Sequence, residues 1–179
     1  MIMFIFKTNT IYTMKQFQLN DFPNVKGSRV SLRQIMDADI PDLIEISFYD
    51  AVQAETVEQA AEMQARIDRD YLDGNSIHWG IVDNETHQIV GTCGYYRGLN
   101  KGEGELGCVL LPKYYGQGYM TDGMSLAIDF GLNTMRLKRI WAATSQENDP
   151  AMKLLERLHF VKTADLSDGE IEYELTQTK

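Results

Sequence analysis

The amino-acid sequence predicts a mixed α/β fold in which helices pack on a single sheet. Length and composition give the first reason: the chain has 179 residues, 44% apolar and 24% charged, which is typical of one soluble domain with its own core. The order of the strand-like and helix-like segments gives the second. They follow one another as β-α-α-β-β-β-α-β-α-β-β, which differs from the regular βαβ alternation of a parallel sheet.

The first third of the chain supplies a strand and two helices. Residues 29–35 alternate apolar and polar side chains, which is typical of a strand with one buried face. Pro41 comes early in the segment 37–50, as in the first turn of a helix. A second helix begins at Thr56, because Thr56 and Gln59 have the spacing of a capping box. The apolar positions of that helix follow at Ala60, Met63, Ile67 and Tyr71.

The remaining elements are a strand meander followed by alternating helices and strands. Strand patterns lie at residues 76–83, 88–96, 104–112, 138–145, 160–166 and 170–176. Helices are predicted just after Gly118 and at residues 149–158, where Pro150 stands in the first turn. The last two strands form a hairpin around Ser167-Asp168-Gly169.

No repeat or linker divides the chain, so residues 27–179 are predicted to form one domain. Residues 1–26 are predicted to be an N-terminal extension and lead-in. The apolar opening MIMFIF lacks the basic flank and cleavage site of a signal peptide, and Met14 is a second possible start. No apolar run reaches the ~20 residues that span a bilayer.

Charge and cysteine usage narrow the function classes. The net charge of -9 argues against binding to nucleic acid or to an anionic membrane, and it favours a cationic partner such as an amine. Cys93, Cys108 and three scattered histidines show no metal-ligand spacing. Two unpaired buried cysteines are typical of a reducing compartment, which predicts a cytoplasmic protein.

The segment PKYYGQGYMTDG places Gly116 and Gly118 where a strand passes into a helix. A phosphate-loop NTPase needs G-x-x-x-x-G-K-[ST], which the sequence lacks. A dinucleotide-binding fold needs G-x-G-x-x-G, and Thr121 stands at the third glycine. The residues alone leave a flexible turn, or a cradle in which missing Cβ atoms let a phosphate approach the helix N-terminus.

The surrounding residues resemble the GNAT superfamily of acyl-CoA-dependent N-acyltransferases. The stretches ELGCVLLPKYYGQGYMTDGM and RIWAATSQENDPAMKLLERLHF carry the resemblance, which extends over residues 77–175. In that family a strand and a proline precede [Q/R]-x-x-G-x-[G/A] at a helix start, and an asparagine, a short helix and G-F follow. The Rim-type group, which acetylates N-terminal amines of ribosomal proteins, is the most similar.

Four departures from the family pattern leave the backbone amide groups in place. Tyr115 stands where the broad family prefers glutamine or arginine, and Met120 replaces a small residue. Asp122-Gly123 replaces Glu-Ala, and His159 replaces the glycine of G-F. Because the pyrophosphate binds to main-chain amides, the resemblance still implies a phosphate cradle.

The resemblance implies a central, mostly antiparallel sheet with one splayed parallel strand pair, helices on both faces, and acetyl-CoA as co-substrate. It assigns acetyl-CoA binding to Tyr115, Gly116, Gln117, Gly118, Tyr119 and Met120 in the cradle, to Cys108, Val109 and Leu110 on the preceding strand, and to Asn148. The free amides at the helix start and the helix dipole favour an anion there. Asn148 is also well placed to cap the following helix.

The resemblance also implies the chemistry. Glu105 matches the family glutamate and is the predicted general base, directly or through water. A backbone amide near Leu110 is expected to polarise the thioester carbonyl. The positions that carry an acidic hydroxyl in relatives hold Leu155 and Ala151 here, so Ser145 is assigned as the catalytic hydroxyl, with Tyr119 nearby. A thiol with a pKa of about 8.5 can also leave without a dedicated acid.

The acceptor pocket is expected to lie beneath the two early helices and the segment FYDAVQAE, with contributions from Trp79, Tyr95, Tyr96 and Arg97. Such aromatic residues are more often packed in the core than in contact with a ligand. A hairpin centred between residues 99 and 102 places Tyr96 opposite Glu105 and Cys93 opposite Cys108.

The sequence therefore predicts an acetyl-CoA-dependent N-acetyltransferase acting on a small amine or a protein N-terminus. A non-catalytic acyl-CoA-binding sensor or subunit of the same fold is the alternative, favoured by the missing hydroxyls. A third possibility is a nucleotide-binding dehydrogenase relative. In that case coenzyme A would not displace the bound cofactor. The segment EIEYELT is a candidate for pairing across a homodimer interface.

Overall fold

The computed structural model describes residues 22–167 and 169–176. Its strands are β1 Val25–Lys26, β2 Val30–Arg33, β3 Phe48–Tyr49, β4 Val52–Gln53, β5 Ile77–Asp83, β6 Ile89–Tyr95, β7 Glu103–Leu110, β8 Arg139–Ser145, β9 Phe160–Asp165 and β10 Glu170–Leu175. Its α-helices are α1 Ile40–Leu43, α2 Val57–Leu72, α3 Tyr119–Asp129 and α4 Asp149–Arg157. Asp168, in the predicted final turn, and the predicted extension up to residue 21 lie outside the described residues.

Eight strands form one sheet in the order β1-β2-β5-β6-β7-β8-β10-β9. Neighbouring strands run antiparallel except for β7 and β8, which are parallel. The parallel pairing covers only Glu103 to Glu105 on β7 and Arg139 to Trp141 on β8, although both strands continue further. The predicted mixed sheet and its splayed parallel pair are thereby confirmed.

The β6–β7 hairpin has the predicted register. Cys93 lies opposite Cys108, and the backbone N–H of Tyr96 donates to the carbonyl of Glu105 at 3.0 Å. Residues directly opposite in an antiparallel pair share a face of the sheet. Tyr96 and Glu105 are therefore on one face, and the two cysteines are on the other.

The helices cover both faces of the sheet. On the face of Cys108, Met124 of α3 and Leu155 of α4 pack in the main core cluster with Trp79 and Tyr95, both wholly buried. On the opposite face, a second cluster joins Leu43 of α1 to the sheet. Within the described residues, no helix is long and apolar enough to cross a membrane.

The region before α2 differs from the prediction. The helix predicted at Pro41 is a single α-helical turn between two 3-10 turns, and the segment FYDAVQAE, for which no strand was predicted, forms the β3–β4 hairpin. Asp50 and Ala51 in its turn have φ of 49° and 62°, the sign that a tight hairpin turn needs. A two-residue strand is too short to show a period of two in the sequence.

The N-terminus of α2 is capped as predicted, with one change. Thr56 accepts a hydrogen bond from the backbone N–H of Gln59 at 3.2 Å. The side chain of Gln59 accepts from the N–H of Glu55 at 2.7 Å, one residue before the partner that a capping box uses.

Candidate active site

A cavity of about 840 Å³ passes through the sheet where β7 and β8 separate. Ala151, Leu154 and Leu155 of α4 line one side, together with Met124. The other side is lined by α2, by the β3–β4 hairpin and by residues that project from the Glu105 face of the sheet. The cavity therefore connects two chambers through the splay, which is the arrangement that a reaction between two bound molecules needs.

The glycine segment forms an open turn ahead of α3. Gly116 and Gly118 have φ of 71° and 86°, a region that only glycine enters readily, and Gly118 is the N-cap of the helix. A Cβ on Gly116 would meet nothing within 4 Å, so the space above it is open. In the described part of the chain, the exposed amides of Gln117 and Gly118 donate to no other residue. An anion can reach them from solvent.

Asp83 and Arg29, which the sequence analysis did not single out, stabilise this turn. The hydroxyl of Tyr119 donates to Asp83 at 2.7 Å, and Asp83 also accepts from the backbone N–H of Thr86 at 2.7 Å. These hydrogen bonds, first that from Thr86, lower the pKa of Asp83 to about 2. Arg29 lies over the Tyr119 ring at 4.0 Å and donates to the carbonyl of Gln117 at 2.7 Å.

The strand before the turn presents an open edge to the cavity. Its pairing with β8 ends at Glu105, and Cys108 and Val109 line the cavity beyond that point. Leu110 is buried in the core cluster. Beyond Glu105, no described strand pairs with the β8 side of this strand, so its peptide groups there can pair with an extended ligand, as in an added strand.

Asn148 lines the cavity and caps α4, because its side-chain oxygen accepts from the N–H of Ala151 at 3.2 Å. The N-cap role is thus confirmed. The cavity wall also contains Ala151 and Leu155, at the two positions where the resemblance led us to expect a hydroxyl. Ser145 stands at the end of β8, where its hydroxyl accepts from the N–H of Glu147 at 3.2 Å, and it is not among the described residues that line the cavity.

Glu105 lies at the point of the splay and is 8% exposed. Both of its carboxylate oxygens accept hydrogen bonds from Arg97, with a separation of 2.7 Å between Nη2 and Oε1. The Arg97 guanidinium also lies 5.8 Å from the centroid of the Trp141 ring. The hydrogen bonds to Glu105 raise the pKa of Arg97, as expected for a guanidinium that pairs with both oxygens of a carboxylate.

The acceptor-side residues divide into two groups. Tyr96 and Arg97 line the cavity, as do residues 48–51 of the hairpin segment. Trp79 and Tyr95 are wholly buried on the other face, where the Tyr95 hydroxyl donates to the carbonyl of Ala127 at 2.8 Å. Their role is core packing.

His78 is a cavity residue that the sequence analysis treated only as one of three scattered histidines. Its ring lies 5.4 Å from that of Tyr96, and its Nδ1 is shielded from solvent with no hydrogen-bond partner among the described residues. Burial lowers its pKa to about 4. The period of two places His78 on the polar face of β5, but only the strand order brings it to the cavity.

Comparisons with known proteins agree on one family. A family model described as an acetyltransferase (GNAT) domain matches residues 29–161. The uncharacterized N-acetyltransferase p20 of Bacillus licheniformis is 34% identical over 115 residues, which are 64% of this chain and 65% of p20. The uncharacterized N-acetyltransferase YoaA of Bacillus subtilis is 28% identical over 79% of this chain and 84% of its own length.

Solved structures share the fold. The structure of a proposed ribosomal-protein-serine acetyltransferase from Vibrio cholerae superposes with a TM-score of 0.75. The superposition covers 87% of this chain and 98% of that chain, at 18% sequence identity. At this identity the similarity establishes the architecture alone.

Proposed function

Because the chain belongs to the GNAT acetyltransferase family, we propose that it transfers an acetyl group from acetyl-CoA to a primary amine, either a protein N-terminus or a small amine. One observation carries the proposal: the cavity at the splay joins the open edge of β7 to the chamber that contains Glu105. A thioester held along the strand edge and an amine held in the chamber would meet there.

The donor side fits acetyl-CoA. The exposed amides at the N-terminus of α3 suit a pyrophosphate, and the open space above Gly116 admits it. The edge of β7 at Cys108 and Val109, with Asn148 across the cavity, suits the amide-containing arm. When bound, the thioester supplies the activated acetyl group, which a backbone amide near Leu110 is proposed to polarise.

Glu105 is proposed as the base that receives a proton from the acceptor. An ionised carboxylate offers about four lone-pair sites, and Arg97 occupies two of them, so the amine can still donate to it. The demand on the base is modest for an α-amine, whose pKa is about 8, and greater for a lysine side chain near 10.4. This difference favours a protein N-terminus or a similar low-pKa amine.

Protonation of the departing thiolate needs less help from the protein than deprotonation of the amine does. Ser145 is proposed to donate this proton through water. Its hydroxyl proton is available because the hydroxyl oxygen is the acceptor in its hydrogen bond with the N–H of Glu147. A thiol pKa of about 8.5 also allows the thiolate to leave unassisted near neutral pH. A Ser145→Ala variant is therefore expected to lose much less activity than a variant of Glu105.

The first test measures donor binding and turnover in one sample. Calorimetric titration with acetyl-CoA is followed by thiol release without acceptor, then with glycinamide, a short peptide with a free N-terminus, Nα-acetyl-lysine and spermidine. Binding with acceptor-dependent thiol release supports the enzyme. Absence of acetyl-CoA binding contradicts the proposal.

A non-catalytic acyl-CoA sensor or subunit is the second candidate, favoured by the apolar side chains of Ala151 and Leu155 in the cavity wall. It predicts tight acetyl-CoA binding with no thiol release for any amine. Conversion of acceptor amine to its acetylated form, detected by mass spectrometry, would exclude it.

A further inference from the structure

The strand register places His78 in the lining of the proposed acceptor chamber. It lies opposite Gly94 on β6, and Gly94 lies opposite Gly107 on β7. These three residues therefore form one row across the sheet, on the face that also carries Tyr96 and Glu105. His78 is the only member of this row with a side chain.

The two glycines let the backbone of β5 and the ring of Tyr96 approach the sheet closely. A Cβ on Gly94 would collide with the backbone of β5 at Ile77 and His78, and a Cβ on Gly107 would collide with the Tyr96 ring. The imidazole is consequently positioned by packing. Its Nδ1 is enclosed yet has no hydrogen-bond partner among the described residues.

An enclosed polar atom without a partner is unfavourable, and in native proteins such an atom calls for an explanation, of which a functional role is one. Resting on the acetyl transfer proposed above, we propose that Nδ1 of His78 accepts a hydrogen bond from an N–H of the acceptor amine, once binding has moved the side chains that shield Nδ1 in the free protein. A primary amine that has given one proton to Glu105 keeps two N–H donors and one lone pair. Holding one N–H at His78 would restrict the direction of the lone pair.

The charge state of His78 suits this role. Its pKa of about 4 keeps the imidazole neutral near pH 7, so it does not repel an acceptor that arrives protonated. The titratable or charged groups that share the cavity are Tyr49, Asp50, Asp70, Tyr96, Arg97, Glu105 and Cys108. Three carboxylates against one guanidinium leave the chamber net negative, which favours a cationic acceptor.

The test compares His78→Leu, His78→Asn and His78→Gln with the unchanged protein, using the panel amine of highest turnover. Leucine removes the hydrogen-bonding atom at similar volume. Asparagine places its Oδ1 where Nδ1 was, whereas glutamine places its polar atoms nearer the position of Nε2. The readouts are the acetyl-CoA dissociation constant, kcat, the KM for the amine and the thermal midpoint of each variant.

We expect His78→Leu and His78→Gln to raise the amine KM about three- to tenfold, the loss of one neutral hydrogen bond, with acetyl-CoA binding unchanged. We expect His78→Asn to recover most of that loss. An unchanged KM in folded His78→Leu overturns the inference and leaves the proposed function intact. If the leucine variant unfolds, equal KM values for the asparagine and glutamine variants overturn it. Absence of thiol release from the unchanged protein with every amine overturns the proposed function and this inference together.

Discussion

The regions proposed for the donor and for the acceptor are built from different parts of the chain. The proposed donor region uses main-chain groups of two consecutive segments, the edge of β7 in the cavity and the turn into α3 outside it. The acceptor end uses side chains from β5, β6, β7, α2 and the β3–β4 hairpin, which are far apart in sequence. A site made of backbone tolerates changes of side chain, as at Tyr115 and Met120, whereas a site made of side chains changes with each substitution. This difference predicts that donor binding and acceptor binding respond to separate sets of variants.

Glu105→Gln is expected to have the largest effect. It should lower kcat about 10²- to 10⁴-fold, the range for loss of a general base, because the amide cannot take the acceptor proton. Acetyl-CoA binding, measured by calorimetry, should not change. The control is Arg97→Gln, which removes the ion-pair partner of Glu105 and leaves the Glu105 carboxylate, the proposed base, in place. If Glu105→Gln turns over normally, Glu105 is not the base.

Because His78 is neutral in the folded protein, we expect the free energy of unfolding to decrease as the pH is lowered. Its pKa is 6.5 in the unfolded chain and about 4 in the fold, so between these values the unfolded state binds the proton first. The free energy of unfolding should drop by about 3 kcal/mol between pH 7 and pH 4, at about 1.4 kcal/mol per unit of pKa difference. Urea titrations at several pH values measure this drop.

The same titrations on His78→Asn provide the comparison. Asparagine does not titrate, so its curve should be flatter than that of the unchanged protein between pH 6.5 and pH 4. Parallel curves for the two proteins would show that other groups cause the acid sensitivity.

Gly118→Val tests whether the donor end depends on backbone conformation. At φ of 86° a β-branched residue is strained, at a cost of about 1–3 kcal/mol, so the turn should shift and acetyl-CoA binding should weaken about 10- to 100-fold. Gly169→Val is the matched control, with φ of 82° in the distant hairpin and nothing within 4 Å of its Cβ. Equal dissociation constants for the two variants would contradict a backbone cradle at Gly118.

Tyr119→Phe is expected to have the smallest effect. It removes a hydrogen bond to an ionised carboxylate, which contributes about 1.5–3 kcal/mol. The free energy of unfolding should therefore decrease by about 1.5 kcal/mol. Because this bond helps to lower the pKa of Asp83, the unchanged protein should lose stability from about pH 4 towards pH 2, and the variant should lose less. Acid titration followed by circular dichroism measures both. If the unchanged protein and the variant lost stability equally between about pH 4 and pH 2, Tyr119 would not stabilise the charge of Asp83.

Sequence patterns predicted the long elements, because their periods are visible over seven or more residues. The three-strand meander from Ile77 to Leu110, α2, α3 and α4 were all located within a few residues. The β3–β4 hairpin was missed, because strands of two residues leave no periodic signal and its turn has Ala51 at the position where glycine is usual. The family match and the fold confirm the predicted GNAT membership.

The sequence by itself determined the fold and the glycine turn before α3, to which we assign the donor. Backbone amides and glycines with positive φ depend on consecutive residues, so a linear motif describes them completely. Only the tertiary structure decided three sets of contacts: the ion pair of Glu105 with Arg97 and the place of His78 in the cavity, and the hydrogen bond of Tyr119 to Asp83 at the glycine turn. Those contacts join strands and helices through the register and the strand order, and no local pattern specifies which side chains meet at the splay.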